Sequence, residues 1–216
     1  MVSSPTTVHE SVLVAMNRSL TWTLVTIPVP VQTLLCTVMA NNYFEGDSIH
    51  TIPDLTIKLH RDQVGREIWL MESAFSQTNE SVMKKLRGYI RDIPGLLVVG
   101  KMLFQESAQY RRPGANAAKN LQSSELMTQD EFTSRSHEDE GFAWVVVDKH
   151  TWFELVSVEL HVWVRQAGKP AIDLDCLDGA SYASGVCCCA LDIPIDDVLI
   201  VFHSHFSDAL SDHSSR

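Results

Sequence analysis

The run Ile52-Pro53-Asp54-Leu55-Thr56-Ile57, then a polar turn, then Ile68-Trp69-Leu70-Met71-Glu72-Ser73-Ala74-Phe75-Ser76-Gln77, decides the fold class. Two short apolar runs flank a turn around Asp62–Arg66, and this predicts an antiparallel hairpin with strands over Thr51–Leu59 and Glu67–Phe75. Each apolar run carries one acid, Asp54 and Glu72. Acids are depleted in half-buried strands. One on each of two neighbouring strands costs desolvation unless something positive compensates, and a divalent cation is a common compensator.

Downstream of the hairpin, Ser76-Gln77-Thr78-Asn79 supplies capping oxygens for a helix over Glu80–Arg91. Val82, Leu86, Ile90 and Ile93 recur at helical spacing and should face the sheet, and Pro94-Gly95 ends the helix. Leu96–Gln105 reads as a third, buried strand. Upstream, Glu10–Leu20 reads as a helix with Val12, Leu13, Met16 and Leu20 towards one side, and Thr21–Ile27 as a strand broken by Pro28-Val29-Pro30. Val31–Ala40 fits helix or strand equally, and Asn41–Asp47 is a turn. Further on, Tyr110–Glu140 reads as a long polar loop, partly disordered. Phe142–Val147 and Thr151–Arg165 read as a strand pair, Ser184–Leu191 as a strand, and Asp196–Phe202 as the start of a terminal helix. The expected organisation is one domain: a core over residues 1–110, an acidic loop over 111–141, a β-rich elaboration over 142–206 and a frayed tail over 207–216.

Composition narrows the function classes. With 216 residues, 45% of them hydrophobic, the chain can bury a sizeable core. A formal net charge of −10 argues against nucleic-acid binding over the whole surface. The charge is nevertheless uneven: Lys84, Lys85, Arg87, Arg91, Lys101, Arg111, Arg112 and Lys119 are opposed within their span only by Asp92 and Glu106. A local basic face of this kind suits a phosphate-bearing ligand. The uncharged stretch between Arg18 and Glu45 contains Pro28 and Pro30, which would interrupt a bilayer-spanning helix, so no membrane span is expected. The N-terminus lacks a basic n-region, and the five cysteines show no CxxC spacing. Together these favour reduced thiols in an intracellular protein.

Pro53-Asp54, followed eighteen residues later by Glu72 on an apolar strand, then a helix and another apolar strand, resembles the PD-(D/E)XK, or restriction-endonuclease-like, nuclease superfamily. Glu72–Gln77 with Lys84-Lys85 is similar to uncharacterised fungal members of it. The resemblance spans Glu10 to Gln105. It implies an α/β fold, a mixed sheet flanked by helices, and a site where Asp54 and Glu72 hold magnesium or manganese for phosphodiester hydrolysis of DNA. The superfamily's lysine, two residues after the second acid, falls here on Ala74. Three readings follow. The lysine has moved to the helix, where Lys85 lies at the edge of the buried stripe and Lys84 points away. Alternatively Gln77 orients the water, or catalysis is lost and the fold survives as an interaction or structural module. The resemblance also makes Glu10 a further candidate metal ligand, although a glutamate in a first helical turn equally favours the helix dipole. Lys84, Arg87 and Arg91 are candidate phosphate contacts.

Other constellations carry less. His203 and His205 would share a strand face, but no third ligand accompanies them. Trp144, Trp152 and Trp163 sit among valines and read as packing. No GxSxG elbow or Walker-type loop occurs.

Overall fold

The computed structural model describes residues 7–26, 35–47, 49–61, 64–74, 77–106, 144–147 and 150–187. The acidic loop over 111–141, the expected helix at Asp196–Phe202, and His203 and His205 lie outside them. The elements in chain order are α1 (Thr7–Thr26), β1 (Leu35–Ala40), β2 (Phe44–Glu45), β3 (His50–Thr51), β4 (Leu55–Arg61), β5 (Val64–Ala74), α2 (Asn79–Asp92), β6 (Val98–Glu106), β7 (Trp144–Val147), β8 (His150–Val164) and β9 (Tyr182–Cys187). The fold is mixed α/β. One sheet runs in the order β1-β4-β5-β6-β8-β7, with β9 on β8, and β2 pairs separately with β3.

The expected hairpin forms, with β4 antiparallel to β5 from Leu55↔Met71 to Arg61↔Val64 and a register shift between Ile57 and Lys58. Strand β1 adds antiparallel to β4. After β5 the chain passes through α2 and returns as β6, parallel to β5 with Glu72 opposite Lys101 and Ala74 opposite Leu103. One detail differs from expectation. Strand β4 begins at Leu55, so Asp54 stands one residue before it. Pro53 has no N–H to give to a ladder, and the Asp54 side chain, rather than its backbone, meets β5.

The N-terminal helix also differs. Thr21–Thr26 continues α1 and is not a strand. Threonine's weak helix preference reflects competition from its hydroxyl for backbone groups. Here Thr23 Oγ1 donates to the Ser19 carbonyl one turn back (3.0 Å) and Thr21 Oγ1 to Asn17 Oδ1 (3.4 Å), so the hydroxyls bond along the helix. Leu13, Met16 and Leu20 form its buried stripe.

Helix α2 is capped by Thr78, whose side chain accepts from the Ser81 N–H at 3.2 Å. Thr78→Ala is expected to cost about 1 kcal/mol of stability, read as a lower urea midpoint at unchanged slope. The helix buries Val82, Leu86 and Tyr89 against Leu70, Ala74, Val99 and Trp163, with Ile172 and Leu174 completing the cluster. The buried stripe is therefore centred closer to Tyr89 than to Ile90 and Ile93, which are only partly buried.

The chain divides into two compact units. The first holds α1 through β6 as far as Leu103, and Leu160 onward through β9 to Gly185. The second holds Phe104 onward, β7 and β8 as far as Glu159; within it Ser157 Oγ donates to Gln105 Oε1 at 3.0 Å. Among the described residues no helix is long and apolar enough to cross a membrane.

Candidate functional site

Side chains alternate along β5, so Leu70, Glu72 and Ala74 face α2 while Ser73 faces the other side. Glu72 is 1% exposed. A carboxylate so enclosed needs donors for both oxygens, and α2 supplies them. Lys85 Nζ donates to Oε2 at 2.7 Å, and the Tyr89 hydroxyl donates to Oε1. Tyr89 is itself fully buried, and its hydroxyl also bonds the Thr51 side chain. Lys85 and Tyr89 stand four residues apart, one helical turn, which is why one helix reaches both oxygens.

Electrostatics follow from this enclosure. Burial pushes the Glu72 carboxyl above the ordinary range; Lys85 and the Tyr89 hydroxyl pull it back, and the Asp54 charge adds a small upward push. Burial and the neighbouring Glu72 charge hold the Tyr89 phenol well above its ordinary value, so it stays protonated and donates.

Asp54 is held differently. Its Oδ2 accepts from the Ser73 N–H at 2.6 Å and from Ser73 Oγ at 2.7 Å. The carboxylate thus takes up a β5 N–H just beyond the end of the β4–β5 ladder at Leu55↔Met71. It neighbours Glu72 closely enough to be felt electrostatically, but its bonds run to the residue whose side chain alternates away from Glu72.

The remaining candidates separate. Lys84 is exposed, whereas Lys85 reaches Glu72. Gln77 is exposed, one residue before the α2 cap. Glu10 lies in α1, with its side chain outside the described atoms. Arg87 and Arg91 are exposed along α2, but acids already meet them: Arg87 Nη2 lies 4.0 Å from Asp175 Oδ1, and Arg91 Nε donates to Asp92 Oδ1 at 3.2 Å. The two arginines line a groove of about 620 Å³ with Ile90, Ile172, Asp173 and Asp175. Lys101, counted with the basic face in the sequence, is inside the protein at 5% exposure. Its Nζ donates to Asn79 Oδ1 at 2.6 Å and lies 5.3 Å from the centre of the Trp163 ring.

Tyr89, Ser73, Thr51 and Lys101 join the site without having been singled out in the sequence. Tyr89 carries a readable signal, seven residues after Val82 on the buried stripe. Lys101 becomes legible only through the β5–β6 register, which sets it opposite Glu72.

Two carboxylates are oxygen donors of the type that magnesium takes in ones and twos, with water and phosphate completing its shell. Among the described residues no three His, Cys, Asp or Glu side chains gather into a metal-binding group. The Asp54 charge is the smallest of the influences on the Glu72 carboxyl. No family model, curated protein or solved structure matches the chain.

Proposed function

We propose that this chain is a restriction-endonuclease-like, divalent-metal-dependent phosphodiesterase acting on DNA. The observation that carries this reading is the 2.7 Å contact of Lys85 with Glu72. A lysine from the following helix stands at the second acid, where Ala74 on the strand offers none. The order of helix, acid-bearing hairpin, helix and parallel strand supports it as well. Asp54 and Glu72 would hold magnesium or manganese. When bound, the ion lowers the pKa of a water and stabilises charge developing on the phosphate. Lys85 holds a proton at Nζ beside Glu72 and orients that carboxylate. Tyr89 keeps the other oxygen fixed. Lys84, exposed on the same helix, is available to a phosphate backbone.

The test is incubation of purified protein with DNA and magnesium or manganese. Wild type is expected to cleave, and Asp54→Ala to lose at least about a hundredfold in rate. Equal cleavage by both proteins, or none by wild type, overturns the reading. A second reading, a catalytically inactive module of the same architecture, is favoured by the closure of the acids: Tyr89 and Lys85 saturate Glu72, and Ser73 holds Asp54. It predicts no manganese binding that Glu72→Ala removes in calorimetric titration.

A further inference from the structure

The connection between β1 and β4 is more than the turn its sequence suggests. The Asn41 N–H donates to the Asp54 carbonyl at 3.2 Å and closes the base of the loop. Beyond that base Phe44 pairs with Thr51 and Glu45 with His50, and the Gly46 N–H donates to the Ile49 carbonyl at 2.8 Å. The resulting short ribbon lies on α2. Phe44 sets its ring edge-on to Tyr89 (6.1 Å between centres, 83° between planes), and the Thr51 side chain bonds the Tyr89 hydroxyl. Ile49 is seated on the bare backbone of Gly88, where an added Cβ would lie 2.9 Å from Ile49 Cδ1. Gly46 sits as tightly over Asp92, whose Oδ2 would be 2.6 Å from an added Cβ. At the base, Asn41 has a positive φ of 51°, and Pro53 is fixed in φ.

We propose that this ribbon is a strap hinged at Asn41 and Pro53-Asp54, and that it must lift before the Tyr89 side chain can swing off Oε1 and open that side of Glu72 to a ligand. The strap covers Tyr89, and Tyr89 covers Oε1 of a carboxylate that is almost entirely withdrawn from solvent. The seat on α2 is formed by a few side chains, the kind of contact that opens locally at a free energy below that of global unfolding. Asp54 stays in place during lifting, because Ser73 anchors it from the sheet. The proposal deepens the phosphodiesterase reading and rests on it for its purpose, since a gate matters only where the carboxylate meets a ligand.

The geometry supplies its own lock. A Cβ on Gly88 would lie 3.7 Å from Ile49 Cβ, within the spacing of about 3.5–4.5 Å that a disulfide requires. The Ile49→Cys/Gly88→Cys protein is oxidised with glutathione disulfide or reduced with a phosphine, and disulfide formation is confirmed by mass. Carboxyl groups are then labelled with a water-soluble carbodiimide and glycine ethyl ester and read by mass spectrometry. Glu72 is expected to label several-fold more slowly in the oxidised form, with exposed Asp175 unchanged. In an independent variant, Phe44→Ala is expected to speed Glu72 labelling several-fold over wild type. Equal Glu72 rates in the oxidised and reduced forms, or a wild-type rate in Phe44→Ala, overturn the strap. Neither readout uses metal or DNA, so failure of the strap and failure of the phosphodiesterase reading are separate results.

Discussion

Ala74→Lys, which places a lysine two residues after Glu72 on the strand, is expected to destabilise the fold by about 4 kcal/mol or more. Ala74 is 4% exposed and packs with Leu70, Val82, Leu86 and Tyr89. A lysine there adds three methylenes and an ammonium to a filled cluster, which costs about 1–3 kcal/mol from overpacking alone. Its ammonium then either lies among apolar groups or competes with Lys85 for Glu72. Urea denaturation measures the loss. A change below about 1 kcal/mol would mean that the cluster has room for a lysine side chain.

Lys85→Met should be comparably damaging, with a pH dependence that identifies the cause. The substitution leaves a buried carboxylate with Tyr89 as its remaining donor from α2, and breaking a buried pair in this way costs about 3–5 kcal/mol. That figure applies where Glu72 is ionised. Because burial holds its folded pKa above the unfolded value, folding takes up a proton. The associated stability is fully present below the unfolded pKa and is lost as pH rises through the folded one. Removing Lys85, which pulls the carboxyl down, moves the folded value further up. The variant should therefore lie close to wild type near pH 5 and fall away towards pH 8, in urea midpoints taken across that range. An equal loss at both ends would assign the damage to packing of the lysine stem instead.

Much of the scaffold is legible in sequence because it depends on local pattern. The β4–β5 hairpin follows from two apolar runs about a turn, α2 from its Thr78 cap and the Val82–Leu86 spacing, and β6 from the apolar run that opens with Leu96–Val99. The extension of α1 through Thr26 is not legible from propensity, since the hydroxyl bonds from Thr21 and Thr23 form only once the helix exists. At the site, the pattern of α2 separates Lys85 from Lys84, and both the Glu72 contact and the exposure of Lys84 agree with it. What pattern does not carry is the pairing across elements. The Ser73 grip on Asp54 depends on β4 starting at Leu55, one residue after Asp54. The approach of Thr51 to Tyr89 depends on the β2–β3 ribbon folding over α2.

The one-turn separation of Lys85 and Tyr89 has a consequence for folding order. Both donors ride on a single rigid helix, so rigid-body departure of α2 takes them away together and leaves Glu72 with neither. Any partly folded form with the hairpin built and α2 undocked must hydrate or protonate that carboxylate. Docking of α2 and satisfaction of Glu72 then become one cooperative event, which makes the hairpin, helix and β6 a single unit of native-state hydrogen exchange. Amides of β5 and α2 should exchange at one common free energy, and because the docked Glu72 carboxyl holds a proton more tightly than a hydrated one, acidification should make undocking harder.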